Sequence, residues 1–325
     1  MNKSKVLRNI LLIILSIFLC IIIYKNVTKR NLNKSNNKFN IVTSFYPVYT
    51  IAQNLSNGAV NVTVSNMTEN VSGCIHDYTL STNDLKKVEK ASVFIENGYG
   101  IENFNDKLKE VYPNLPIINS SEFMGEIVDN DDEEENEEHL HNHEHEHEHE
   151  HEHEHEHEIN GHIWISIDKY IMQVKEIAEK LKEYNPQNYE IYENNKNTYI
   201  EKLEDLKNEY KELEASLWDQ YLLSLNESFY YLNENINIKM ITIETDHEKN
   251  TFSAEMLKSL IDEVKENNIK AIIIDKDDSQ KNADAIAVET NTKVIKLNSC
   301  MSGKVRDLDA YINAMKENLE ILKSI

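Results

Sequence analysis

Glycine and proline are scarce in this chain, with 7 and 4 in 325 residues. A sequence so poor in both is not a disordered stalk, and its many Asn, Lys and Ile residues belong to helices and strands. Cysteine is scarcer still. Cys20 falls in an N-terminal apolar run, which leaves Cys74 and Cys300 as the only two elsewhere. Basic residues are outnumbered, 34 against 57 acidic, for a net charge of −23. So acidic a protein is a poor partner for nucleic acid. Outside one alternating His-Glu run, which meets the HExxH pattern trivially and has no apolar helix face, no HExxH pair occurs. No G-x-S-x-G elbow occurs anywhere, so the familiar signatures of a metallohydrolase or serine hydrolase are missing.

The acidity is concentrated in one place. Between Asp129 and Glu158 lie 16 of the 57 acidic residues, leaving 41 acids against 34 bases elsewhere, a balance of about −7. The same stretch holds ten histidines: His139, His141, His143, His145, His147, His149, His151, His153, His155 and His157. From His143 to Glu158 it is eight consecutive His-Glu pairs. Nothing in it can form a core, so a solvated, mobile loop is expected. Imidazole alternating with carboxylate is a multidentate, borderline-soft surface suited to divalent transition metals. A solubilising spacer would not spend every second residue on histidine, and a purification tag would stand at a terminus. This tract is followed by 167 further residues. Capture by its imidazoles needs their neutral form, so it weakens as pH falls through the ordinary histidine range near ~6.5.

The chain opens with Lys3, Lys5 and Arg8, then 14 apolar or small residues from Ile10 to Ile23. This reads as a signal peptide or uncleaved signal anchor, with residues 26–37 as a polar tether. Cys20 offers lipidation as an alternative attachment, although Ile17, Phe18 and Leu19 are bulky for a lipobox. Either way the remainder, about 290 residues, works outside the cytoplasm at the membrane.

Strand and helix signals then alternate. Phe39 to Phe45 and Val60 to Asn66 read as strands, Ser81 as the cap of a helix, and Val93 to Glu96 as a third strand. Such alternation predicts an α/β fold with a mainly parallel sheet covered by helices, whose ligand crevice lies beyond the carboxyl ends of the strands. His76 falls after a strand, at that position. Asp168 to Tyr184 is a helix, and Gln187 to Leu217 a single long one with Tyr192, Tyr199, Leu203, Leu206, Tyr210 and Leu213 as its apolar stripe. From residue 221 the strand and helix alternation resumes, with strands at 239–244, 270–275 and 293–297 and a last helix from about Asp309.

The order of these elements, with Gly73-Cys74-Ile75-His76-Asp77-Tyr78 and Gly161-His162-Ile163-Trp164, resembles the substrate-binding proteins of bacterial zinc and manganese ABC uptake transporters. The resemblance covers residues 39–325. It implies two lobes, each a parallel sheet flanked by helices, joined by one long rigid helix. The expected organisation is 1–38 anchor and tether, 39–167 first lobe carrying the 129–158 loop, 168–217 helical connection and 218–325 second lobe.

The resemblance also implies that His76 and His162 are metal ligands. Two departures stand out. The family's third His corresponds to Asn226 in Leu225-Asn226-Glu227-Ser228-Phe229. The loop after the last strand, Leu297 to Ser302, has no carboxylate where some members supply an acidic ligand. Asn226 through its carbonyl, Cys74 or Cys300 as thiolates, or His247 from its loop are the candidates to complete the set. A Cys74–Cys300 disulfide is the alternative use of the two cysteines. Zinc is expected ahead of manganese, because imidazoles flanked by sulfur suit it.

The expected function is therefore capture of a divalent metal and its delivery, by a monomer, to a membrane ABC permease, with no catalytic residues. The rivals are a degenerate binder that merely buffers metal and, more remotely, a metal-dependent extracellular hydrolase.

Overall fold

The computed structural model describes residues 38–68, 75–125, 160–217, 220–243 and 252–325. The anchor and tether, Cys74, the His-Glu tract and His247 lie outside them. Among the described residues no helix is long and apolar enough to cross a membrane.

Two four-stranded sheets organise the molecule, and every pairing in both is parallel. In the first, β1 (Phe39–Thr43), β2 (Val62–Asn66), β3 (Val93–Glu96) and β4 (Ile117–Asn119) take the order β2-β1-β3-β4. In the second, β5 (Tyr221–Ser224), β6 (Lys239–Thr242), β7 (Ala271–Asp275) and β8 (Lys293–Leu297) repeat it as β6-β5-β7-β8. β3 and β7 are interior strands and are buried at every residue. That is why they read as apolar runs with no alternation, up to the carboxylates Glu96 and Asp275 that end them.

Three of the helices that cover these sheets start at serine side-chain caps, and another has a proline in its first turn. α1 (Tyr46–Leu55) carries Pro47 in its first turn, where proline is tolerated. It therefore begins earlier than Val48, and β1 stops at Thr43 short of Phe45. α2 (Thr82–Val88) opens with a capping box: the Ser81 hydroxyl accepts from the Asp84 N–H and the Asp84 carboxylate accepts from the Ser81 N–H. α3 (Asn105–Val111) precedes β4. Ser166 caps α4 (Ile167–Tyr184) and Ser253 caps α6 (Ala254–Glu266). α7 (Lys281–Thr290) and α8 (Ala310–Leu322) complete the second lobe.

α5 (Tyr189–Leu217) is the strut between the lobes, with 29 residues spanning about 44 Å at 1.5 Å per residue. Its stripe is buried, from Tyr192 at 0% exposed to Leu213 at 5%, and each such side chain contributes about 1.5–3 kcal/mol. Near its start Asn195 donates to the Leu55 carbonyl of α1, and near its end the Tyr210 hydroxyl donates to the Met315 carbonyl of α8. One continuous apolar cluster runs through both lobes, from Ile41 in β1 to Leu322 in α8. A smaller cluster lies between the second sheet and α6 and α7.

Candidate metal centre

His76 belongs to a short 3₁₀ turn, Ile75–Asp77, in the connection after β2. Ile75 anchors the turn in the core, and Asn103 donates to the His76 carbonyl at 2.7 Å. His162 is placed by its C-terminal neighbours: Ile163, Trp164 and Ile165 form a 3₁₀ turn with no exposed surface, so the chain is pinned into the core beside the ring. Gly161 permits this. A Cβ there would stand 2.6 Å from the Ile101 Cβ and 2.9 Å from the Tyr99 carbonyl, and Asn97 donates to the Gly161 carbonyl at 3.1 Å. The loop leaving β3 thus lies directly against the segment that carries His162.

Both imidazoles face a carboxylate of the other lobe. Glu227 opens the 3₁₀ segment Glu227–Leu232 after β5, so it too lies beyond the carboxyl end of a strand. One ligand atom each from His76, His162 and Glu227 lies within 4.8 Å of the others. The two rings are 5.4 Å apart between centroids and inclined at 57°. His76 Nε2 is 3.9 Å from Glu227 Oε1, and Trp164 packs 5.1 Å from His162 as an apolar wall. His162 is fully buried, whereas His76 and Glu227 are half-buried. Two neutral imidazoles and one carboxylate make a donor set of charge −1 suited to Zn²⁺. Among the described residues no other group of three such side chains comes this close.

The other candidates fall elsewhere. Asn226 sits next to the cluster in sequence, and its amide is held by other partners. Its Oδ1 accepts from the Ser228 N–H at 2.9 Å and its Nδ2 donates to Asp278 Oδ2 at 2.7 Å. It is the cap of the segment that Glu227 begins, and it is the carboxylate of that next residue that stands with the two imidazoles. Cys300 is a free thiol, 3% exposed. Burial pushes it up to about 12, so without a metal it is a neutral thiol. It lines a separate cavity of about 290 Å³ with Tyr46, Lys276 and Tyr311, which none of the three cluster residues borders. The loop after β8 turns its polar groups inward, with the Ser299 N–H donating to Asp275 and the Asn298 N–H to Asn318. Cys74, His247 and the ten tract histidines lie outside the described residues.

With this geometry in hand, the relatives are informative. The family profile described as zinc-uptake complex component A, periplasmic, matches residues 41–325. The high-affinity zinc uptake system protein ZnuA of Bacillus subtilis (strain 168) is 28% identical over 305 residues, covering 91% of this chain and 90% of that protein. The zinc-binding lipoprotein AdcA of Streptococcus pneumoniae is 28% identical over 298 residues, and there the match covers 90% of this chain but 57% of the relative. The chain thus spans little more than half the length of that streptococcal protein. Among solved structures, Zn(II)-bound AdcA from Streptococcus pneumoniae superposes with a TM-score of 0.69 at 25% identity, over 89% of this chain and 57% of that one. A crystal structure of ZnuA gives 0.68 at 23% identity over 88% and 99%, a likeness of fold.

Proposed function

We propose, from the premise that this chain belongs to the family of zinc-uptake complex component A proteins, that it captures zinc outside the cytoplasm and passes it to a membrane ABC permease. The family is one of solute-binding proteins, not of enzymes, and catalysis forms no part of this reading. The observation that carries the assignment of the site is the meeting of His76, His162 and Glu227 within 4.8 Å across the two lobes.

Donor atoms bound to one tetrahedral zinc at ~2.0–2.2 Å lie roughly 3.3–3.6 Å from each other. Drawing the three groups together therefore takes side-chain shifts of about an ångström, with no need to move a lobe. Three protein ligands leave the fourth position to water, and a site so completed can give up its ion by exchanging one ligand at a time. Large closure is resisted by α5 and by bonds between the lobes, such as Asn54 to the Leu308 carbonyl and the Ile167 N–H to Asn235.

In this reading the ligands are His76, His162 and Glu227, and the protein acts as a monomer held at the membrane by its N-terminal segment. The tract from Asp129 to Glu158 raises the local zinc concentration beside the cleft. Residues 39–167 and 218–325 serve as the two jaws, and 168–217 as their connection.

The test is a competition titration with zinc in protein lacking residues 129–158, compared with His76→Ala and His162→Ala in the same background. One tight site in the parent, lost in each variant, is expected. Absence of a tight site in the parent removes the proposal and leaves a metal buffer. If deleting the tract changes neither the rate nor the affinity of zinc capture, the tract has no gathering role.

A further inference from the structure

Asn160 stands one residue before the Gly161-His162-Ile163-Trp164 motif, and its side chain touches both sides of the cluster. Its Oδ1 accepts from the His162 backbone N–H at 2.9 Å and lies 2.9 Å from His162 Nδ1. Its Nδ2 donates to the Glu227 carbonyl at 3.0 Å, across 67 residues of sequence and from one lobe to the other. The Asn160 carbonyl in turn accepts from the Tyr231 hydroxyl at 3.0 Å.

Two of these contacts fix the amide's orientation. A backbone N–H can only donate and a backbone carbonyl can only accept, so oxygen must face His162 and nitrogen must face Glu227. The same oxygen meets Nδ1, and an oxygen that cannot donate requires Nδ1 to carry the proton. The lone pair of the neutral ring then belongs to Nε2, the nitrogen available to a metal.

We propose that Asn160 is a positioning residue of the metal site, which sets the Nδ1–H tautomer of His162 and ties that ring to the backbone of Glu227. The inference deepens the zinc reading given above, but its first readout needs no metal. Asn160→Asp keeps an oxygen for Nδ1 and loses the tether to Glu227, whereas Asn160→Ala loses both. The two tasks therefore separate.

The experiment is ¹⁵N-edited NMR of the imidazoles in the full metal-free chain at alkaline pH, where imidazoles are neutral. The His162 signal is identified by its loss in His162→Gln. The expected result is a pure Nδ1–H pattern in the parent and in Asn160→Asp, and a mixed or Nε2–H pattern in Asn160→Ala. Zinc affinity of the cleft, read by competition in the same proteins, should fall about 10–100-fold in Asn160→Ala. It should fall less in Asn160→Asp. An Nε2–H pattern in the parent, or a parent-like pattern in Asn160→Ala, overturns the inference whether or not zinc binds. Conversely, the expected tautomers without any tight zinc site leave Asn160 in its role toward the ring and sink the zinc reading alone.

Discussion

The Tyr311 hydroxyl donates to the Trp164 carbonyl at 2.7 Å, joining α8 of the second lobe to the turn after His162. Trp164 answers across the same boundary, its indole N–H donating to the Ser299 carbonyl at 2.8 Å. The Tyr311 ring also stacks on Tyr170, 3.7 Å between centroids at 13°. Tyr311→Phe keeps the stack and removes only the hydroxyl, leaving a buried carbonyl without its donor. Loss of about 1–3 kcal/mol is expected, read as a lowered urea midpoint with an unchanged slope. An unchanged midpoint would mean that this link between the lobes adds nothing.

Glu227 and Asn226 are neighbours with opposite tasks, and their variants should separate affinity from stability. Glu227→Gln removes the carboxylate facing the two imidazoles. Zinc affinity should drop by more than the ~10–100-fold typical of losing a ligand's supporting partner, with little effect on unfolding. Asn226→Ala removes the cap over Ser228, at a cost of about 1 kcal/mol, and should leave zinc affinity nearly unchanged. A larger affinity loss in Asn226→Ala than in Glu227→Gln would restore Asn226 as the ligand.

The same pair shows where the sequence was legible and where it was not. The motif locates the third member of the cluster to within one residue, since the chain leaving β5 must enter the crevice there. Which of two adjacent side chains turns inward depends on a capping bond that no pattern of residue types reveals. Asn is both a plausible ligand and an excellent cap, and here it caps. The long α5 could be read because its buried positions recur at helical spacing over 29 residues. α3 and β4 offered no such signal: α3 buries only Leu108, and β4 is three residues long. Asn160 escaped notice because its importance lies in two contacts to backbone atoms of distant segments.

Cys300 supplies a prediction about reactivity. With its thiol pushed up to about 12 by burial, its thiolate fraction at pH 8 is about 10³-fold below that of an ordinary cysteine. Alkylation with iodoacetamide, followed peptide by peptide in a mass spectrometer, should leave Cys300 unmodified in the native protein. In urea it should react at the ordinary rate. The outcome should be the same with and without zinc. Rapid native alkylation that zinc suppresses would bring Cys300 back as a metal ligand.

Glu102 gives the dependence of stability on pH. Its carboxyl is 5% exposed behind the cleft, where burial and the nearby Glu96 push it from 4.5 up to about 8. Hydrogen bonds from the Ser44 hydroxyl and from the Asn97 and Gly98 N–H groups oppose the rise without cancelling it. Between those two values the folded chain holds a proton here that the unfolded chain has released. Stability from this group is thus fully present below about 4.5 and is lost as pH rises through about 8. The limiting slope is about 1.4 kcal/mol per pH unit. Glu96 and Asp275 are raised by burial in the same direction, so the wild-type slope alone does not isolate Glu102. Glu102→Gln does, because its own cost, an amide N–H set against backbone donors, is the same at every pH. Urea midpoints measured from pH 5 to 8 should fall more steeply in wild type than in Glu102→Gln. Parallel profiles would show that Glu102 is ionised in the folded protein throughout, held as a carboxylate by its three donors.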